Sequence, residues 1–311
     1  MNQNTKTFYE VGEDNVKVPI ETKKVLVGTY LHKVKYYCIE DWFKNVKKMM
    51  EKFPDSDLLV VDNSDEKNSP AWLRIKMDEV FGKNKHQLMW IDTIGKNSRF
   101  KQTESQTVLW NYALDNKYEK LFILESDVFP TDELTIQKLY DAQKPIVSGV
   151  FPLWNGDKPE NDVLCIMGYG LNADLQRFWY HRFLFDRAIK TVGNKALVKI
   201  YACGLGCIMI DKSVLENIKP EFAQKQLVDE LWKVIFRIDK MKSKSNIKRW
   251  LQVKVKGLIE SEEKMLKEKI HPDTNFHMHC ELFGVPRYVL PEIQCVHKRT
   301  EWSEIEKTVK R

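Results

Sequence analysis

Leu121-Phe122-Ile123-Leu124-Glu125-Ser126-Asp127-Val128-Phe129-Pro130 decides how this chain is read. Four apolar residues in succession mark a strand buried on both faces. Two carboxylates follow at its C-terminal end, and Pro130 with Thr131-Asp132-Glu133 then breaks the strand and opens a helix. Ligands of open α/β sheets gather at the carboxyl ends of strands. In extended chain, residues i and i+2 point the same way, so Glu125 and Asp127 are expected to face one point. Oxygen ligands of that kind suit Mg²⁺ or Mn²⁺. The competing reading of the same residues is a solvated strand end followed by a helix cap.

Outward from this strand the pattern repeats. Upstream, Lys24-Val25-Leu26-Val27-Gly28-Thr29-Tyr30 and Leu58-Leu59-Val60-Val61-Asp62-Asn63-Ser64 read as buried strands with polar exits, and His86 to Ile91 as a third. Helical stretches separate them. Tyr36 to Phe53 carries Tyr37, Trp42, Val46, Met49 and Met50 at helical spacing. Ala71 to Phe81 and Gln102 to Leu114 also read as helices, the latter after a polar loop from Gly95 to Arg99. This alternation predicts an α/β fold around a parallel sheet with right-handed crossovers.

Downstream, Glu133 to Gln143 reads as a helix and Pro145 to Phe151 as a strand. Val163 to Gly170 and Ala196 to Tyr201 read as short strands around an aromatic stretch of Phe178, Trp179, Tyr180, Phe183 and Phe185. Cys203-Gly204-Leu205-Gly206-Cys207 is a tight turn into the apolar run Ile208 to Ile210, and Asp211 caps a short helix to Ile218. Pro220 to Ile270 reads as mostly helical. Thr274 to Phe283 is a further helix, and Arg287 to Leu290 is a strand that leads on to Val296-His297-Lys298-Arg299.

The 311 residues suffice for one large domain or two small ones. No G-x-G-x-x-G follows the first strand and no G-x-x-x-x-G-K-S/T occurs, which argues against an NAD enzyme and a P-loop ATPase. No apolar run reaches the roughly 18 residues of a membrane span. Met1 to Ile20 is polar and mixed in charge, unlike a secretory signal. The six cysteines are scattered, without disulfide-framework spacing, so a cytoplasmic protein with reduced thiols is expected. The net charge of +6 is concentrated: residues 219–271 hold 14 Lys/Arg and 8 Asp/Glu, which accounts for all of it.

Taken in order, these segments resemble glycosyltransferases of the GT-A fold, close to family 2. The resemblance rests on a Val-Leu-Val-Gly-Thr strand, a Val-Val-Asp-Asn strand, an arginine before a helix, a strand ending in Glu-Ser-Asp-Val, and a Val-Ser-Gly-Val strand. A Cys-Gly-Leu-Gly-Cys turn, an Asp-Thr-x-Phe helix start and a Val-x-His strand end complete it. It covers roughly residues 23–218 and 271–299. It implies that Glu125 and Asp127 stand at the D-x-D position, with Ser126 beside the sugar-phosphate and His297 completing the metal shell. Asp62 is then expected at the base or ribose, Thr29 and Tyr30 beside the base, and Arg99 near base or phosphates. Asp273 matches the catalytic base of inverting members. Two departures stand out: Glu125 where Asp is commoner, and Pro272 where another acid often precedes Asp273.

The domain organisation expected is an N-terminal arm (1–22), a catalytic domain (23–299) containing a basic helical insertion (219–270), and a tail (300–311). The chemistry implied is transfer from a nucleoside-diphosphate sugar, a UDP-sugar first, to a hydroxyl acceptor, inverting rather than retaining, with Mn²⁺ or Mg²⁺ at the departing diphosphate. Trp154 and the aromatic stretch are expected either to cover a sugar face or to sit in the core. The acceptor reads either as a hydroxymethylated base in DNA, held by the basic insertion, or as a glycan. The insertion equally reads as a helical hairpin that covers the site, pairs subunits or touches a membrane surface. Rival classes are a non-catalytic nucleic-acid-binding protein and a nucleotidyltransferase, the latter lacking a Gly-rich phosphate loop here. A zinc site drawn from His277, His279, Cys280, Cys295 and His297 is disfavoured, since the spacing fits no common zinc pattern and His277 and His279 diverge by about 200° on a helix.

Overall fold

The computed structural model describes residues 9–11, 17–19, 23–66, 70–83, 85–96, 98–154, 161–168, 178–193, 196–218, 223–240, 246–268 and 272–298. The expected tail and most of the expected arm lie outside them. The arm contributes a small antiparallel pair, β1 (Tyr9–Val11) and β2 (Lys17–Pro19).

The first half alternates as expected: β3 (Val25–Leu31), α1 (Ile39–Lys52), β4 (Ser56–Asp62), α2 (Ala71–Phe81), β5 (His86–Trp90), α3 (Ser98–Asp115) and β6 (Lys120–Leu124). A 3₁₀ helix, Lys33–Cys38, precedes α1, so Tyr36 and Tyr37 lie in that tighter turn and not in α1. His32 caps it, its Nδ1 accepting from the Val34 N–H at 3.3 Å. Helix α3 begins at Ser98, so Arg99 stands in its first turn and not in a loop.

The second half runs β7 (Val128–Pro130), α4 (Thr135–Asp141), β8 (Ile146–Val150), β9 (Pro152–Trp154), β10 (Val163–Gly168), β11 (Phe178–His181), α5 (Arg182–Val192), β12 (Val198–Ile200) and β13 (Ala202–Cys203). It closes with β14 (Cys207–Asp211), α6 (Lys212–Asn217), α7 (Ala223–Lys240), α8 (Asn246–Glu268), α9 (Pro272–Leu282) and β15 (Arg287–His297).

The main sheet has the order β12-β15-β8-β14-β6-β3-β4-β5, with β7 added onto the end of β15. The block β6-β3-β4-β5 is parallel, as is β8 with β15. Strand β14 departs from the expected parallel sheet: it runs antiparallel to both β6 and β8. Cys207 pairs with Leu124 and Asp211 with Lys120, so β14, arriving from the smaller sheet through the Gly204–Gly206 turn, enters the main sheet at the end where β6 leaves it.

Alternation along each strand divides the core. Val25 and Val27 of β3 face one layer with Trp42, Phe43 and Val46 of α1, while Leu26 faces Leu109 and Trp110 of α3 on the other. The α/β architecture is therefore a central sheet with helices on both faces, a Rossmann-like arrangement of GT-A type. A smaller sheet has the order β11-β10-β13, with β9 paired to β10. Helices α7 and α8 pack on one another, and α7 meets α9.

Candidate functional site

Glu125, Ser126 and Asp127 form a turn between β6 and β7, closed by the Val128 N–H donating to the Glu125 carbonyl at 3.0 Å. The two carboxylates converge through this turn and not through the extended spacing expected. Other parts of the chain hold it. Trp42 Nε1–H donates to the Glu125 carbonyl at 2.9 Å, the Lys298 N–H to the Asp127 carbonyl at 2.8 Å, and the Cys38 thiol to the Ser126 carbonyl at 3.3 Å. The Glu125 N–H donates to the Gly206 carbonyl at 2.9 Å.

Gly204 and Gly206 are needed for space, not for backbone conformation. A Cβ on Gly206 would lie 2.8 Å from Phe151 Cζ and 3.2 Å from Glu125 Oε2, and one on Gly204 would lie 2.5 Å from Cys165 Sγ.

His297 reaches this turn because β15 pairs antiparallel with β7, placing His297 opposite Val128. Its Nδ1 lies 3.0 Å from the Pro152 carbonyl, and its Nε2 lies 3.2 Å from Asp127 Oδ2. With Nδ1–H donating to that carbonyl, Nε2 is the nitrogen presented to the carboxylates. One ligand atom from each of Glu125, Asp127 and His297 lies within 4.8 Å of the others.

The charges are crowded. Burial first, then the Asp127 and Asp273 carboxylates, push Glu125 up to about 7. Tyr30 donates its phenol O–H to Glu125 Oε1 at 2.5 Å, and Gln102 Nε2 donates to the Tyr30 oxygen at 3.0 Å. Burial alone would raise Asp127, but its hydrogen bond to His297 and the charge of Lys35 outweigh it and hold the carboxyl below its ordinary value. Lys35, from the 3₁₀ helix, forms an ion pair with Asp127 Oδ2. His297 would be lowered by burial, yet Asp127 raises it above the ordinary imidazole value.

A cavity of about 460 Å³ opens here, at the C-terminal ends of β3, β4 and β6. Glu125, Ser126 and Asp127 form one side of it, Tyr30, His32, Val34 and Lys35 another, and Asn63, Lys96, Ser98, Lys101 and Gln102 the rest. Of the residues expected at the donor, Tyr30 and Ser126 line it. Thr29 is fully buried in β3 and does not. Asp62 is also fully buried: its Oδ1 accepts from the Ser64 N–H at 3.0 Å and its Oδ2 from the Tyr36 phenol at 3.4 Å. Asn63 lines the cavity in its place. The side chains of Arg99 and Trp154 lie outside the described part of the structure, as do those of Phe178, Trp179 and Phe183.

Asp273, in the first turn of α9, accepts from three donors: Gln102 at 3.2 Å and Gln106 at 3.4 Å on Oδ1, and the Leu205 N–H at 3.2 Å on Oδ2. It stands close enough to Glu125 to raise it, but is not among the cavity-lining residues.

Sequence reasoning missed Lys35, Asn63, Lys101 and the glutamine pair. A signal existed for the last, since Gln102 and Gln106 are four apart and share one helix face. The basic cluster His32, Lys33 and Lys35 directly after the first strand was another.

No protein-family model matches the chain, and no curated protein does. Solved structures overlap it. GalNAc-T7, solved with UDP, GalNAc and Mn²⁺, has a TM-score of 0.53 at 8% identity, covering 96% of this chain and 48% of that one. The chain thus spans about half the length of that neighbour. A197 from STIV (TM-score 0.38, 11% identity, 89% and 86% covered) and a putative glucose-1-phosphate thymidylyltransferase from Bacillus anthracis in complex with a sucrose (0.36, 7%, 62% and 73%) overlap more loosely. The likeness to GalNAc-T7 is one of fold.

Proposed function

We propose that the chain is a divalent-metal-dependent glycosyltransferase, near family 2 of the GT-A enzymes, moving a sugar from a nucleoside-diphosphate sugar to a hydroxyl acceptor. The observation that carries this is the convergence of Glu125, Asp127 and His297 within 4.8 Å at the mouth of a cavity of about 460 Å³. Two carboxylates and an imidazole are a donor set suited to Mn²⁺ or Mg²⁺. Burial first, and then the Asp127 and Asp273 carboxylates, disfavour the charged form of Glu125, and a cation bound beside it would offset both. When bound, the ion would supply positive charge to the departing diphosphate.

The chain's own residues supply the rest. Lys35, Lys96 and Lys101 line the cavity and give its wall a cationic character that suits a diphosphate, with Lys35 paired to Asp127. Lys101 is balanced by Asp65 at 2.5 Å, and the Lys96 ammonium lies 5.5 Å over the Phe100 ring. Asn63 is 4% exposed; its Nδ2 donates to Ser105 Oγ at 2.9 Å and its Oδ1 has no hydrogen-bond partner. An unpartnered acceptor there suits a base that offers a ring N–H, as uracil, thymine and guanine do, and a UDP-sugar is the donor tested first. Asp273 is the base in this reading. Its three donors fix its direction, and in this reading it takes the acceptor hydroxyl's proton as that oxygen attacks the anomeric carbon and the carbon–phosphate-oxygen bond breaks on the opposite side. That route inverts the anomeric centre. The acceptor belongs to a glycan or to a hydroxymethylated DNA base, which parallel transfer assays separate.

Thermal-shift titration with nucleoside diphosphates and their sugars, with and without Mn²⁺, tests the donor site on the native chain and on Asp127→Asn. A Mn²⁺-dependent rise with UDP or a UDP-sugar, absent in Asp127→Asn and reduced in Asn63→Ala, is expected. A folded protein whose melting is moved by no nucleotide would sink the reading.

A further inference from the structure

Helices α7 and α8 form a hairpin with little core of its own. Leu231 and Ile235 of α7 meet Ile259 of α8, with Val255 packed beside them. Much else that is apolar in the hairpin faces outward. Among the described residues, six of the fourteen exposed large apolar side chains are here: Trp232, Val234, Phe236, Trp250, Val253 and Leu258. Trp232 and Phe236 are four apart and share a flank of α7. Trp250 stands nine residues before Ile259, about 180° around α8 from the buried seam. Its neighbour on that outer face, Val253, is 64% exposed.

Basic side chains are interleaved with these. Among the hairpin residues whose side chains are described, Lys233, Arg237 and Lys240 of α7 and Arg249, Lys254 and Lys256 of α8 are exposed, against Asp239 and Glu260 as exposed acids. Lys240 lies over the Phe236 ring at 4.2 Å. The combination selects among partners. A second copy of the hairpin surface would bring one surplus of cations against another, which is repulsive. A nucleic-acid duplex would satisfy the cations with phosphates but offers no apolar layer to Val253 and Leu258. An anionic bilayer surface offers both: phosphate and carboxylate headgroups for Lys and Arg, and an interfacial zone that favours indole and phenyl rings. No helix among the described residues is long and apolar enough to cross a membrane, so the hairpin would lie on the surface and not span it.

We propose that the α7–α8 hairpin docks the protein on membranes rich in anionic lipid, with Trp232, Phe236, Trp250 and Val253 in the interface and the flanking Lys and Arg on the headgroups. The proposal is independent of the sugar-transfer reading, since no residue of the cavity takes part in it.

The test is flotation of the full chain with phosphatidylcholine vesicles, alone or containing phosphatidylserine. Three proteins are compared: the native chain, Trp232→Ser/Phe236→Ser/Trp250→Ser, and Arg249→Gln/Lys254→Gln/Lys256→Gln. All substituted side chains are exposed, and melting temperatures confirm folding. The native chain is expected to float with the anionic vesicles only. Each triple variant is expected to lose on the order of tenfold or more in partitioning, and added salt to weaken the native binding. If the apolar variant fails to fold, the charge variant carries the test. Absence of flotation with anionic vesicles would overturn the proposal, and so would flotation that both variants retain. Salt-sensitive binding of duplex DNA that the apolar variant keeps, without vesicle binding, would reassign the face to nucleic acid. A concentration-dependent dimer abolished by the apolar variant would reassign it to self-association. The nucleotide thermal shift, run on the same preparations, reports on the donor cavity separately.

Discussion

The mouth of the cavity and the α7–α8 hairpin are opposite ways of using charge. At the cavity, four ionisable groups from distant parts of the chain, Lys35, Glu125, Asp127 and His297, crowd one point and are held there by buried neighbours. In the hairpin, charges are spread along solvated helix faces, and only a few apolar residues tie the two helices together. Crowded charge is costly unless something answers it, so it marks a place prepared for a ligand. Spread charge costs little and marks a surface. Changes at the cavity should therefore abolish function with modest effect on folding, while changes in the hairpin's seam should loosen it locally and leave the cavity intact.

The largest effect expected is on chemistry. Asp127→Asn removes the oxygen that both Lys35 and His297 contact. Sugar transfer should fall by about 10²–10³-fold, the scale for losing one well-placed electrostatic group. Calorimetric titration should show the Mn²⁺ affinity lost with it. Transfer at the native rate would remove the turn from the site and break the contrast at its strong end.

Acid should strike helix α9 next. Burial lowers His277 to about 3, with the Arg287 guanidinium helping, and lowers His279 to about 4. The His277 Nε2 accepts from the Cys203 N–H at 3.3 Å and has Cys203 Sγ at 3.7 Å, and its Nδ1 is buried without a hydrogen-bond partner. Both imidazoles are neutral when folded and titrate near 6.5 when unfolded. Their contribution is thus complete above about pH 6.5 and is lost as pH falls toward 4–3, by linkage on the order of several kcal/mol. Urea titrations at descending pH should show this slope, and His277→Gln should flatten it. An unchanged slope would mean that other groups govern acid unfolding.

A smaller effect is expected at Gly206. The added methyl of Gly206→Ala meets Phe151 and Glu125, and overpacking of this kind costs about 1–3 kcal/mol. Calorimetric melting should fall, and Mn²⁺ affinity with it, because Glu125 is the side chain displaced. A variant that melts as the native chain does would show that Phe151 yields easily.

What was legible in the sequence follows the same division. Buried strands, helix α2 and the carboxylate pair stand in contiguous residues, so periodicity and spacing were enough. His297 was reached only through the family resemblance, because nothing local says that β15 runs on to pair with β7. Lys35 was missed because a 3₁₀ turn folding over the end of β6 leaves no periodic trace. Asp62 shows how one residue matters at a strand end. Successive side chains face opposite ways; the carboxylate turned back onto Ser64, and Asn63 faces the cavity. The convergence of Glu125 and Asp127 was expected from extended chain but arises from a turn. The antiparallel β14 was invisible because its direction depends on where the chain enters the sheet, not on its own residues.

The smallest effect on melting should come from the hairpin. Ile259→Ala removes one of the few residues in its seam, and an Ile→Ala cavity costs about 2–5 kcal/mol where the site cannot collapse. In a segment joined to the rest mainly through α7 and α9, that loss should appear as local opening. Hydrogen exchange should speed up through α7 and α8, while amides of β3 and β6 keep their protection and the melting temperature moves by no more than about 1–2 °C. If instead Ile259→Ala lowered melting as much as Gly206→Ala, the hairpin and sheet would unfold as one unit. The seam would then be transmitting stability through α9, whose first turn carries Asp273, and the hairpin would be a support of the site as well as a surface.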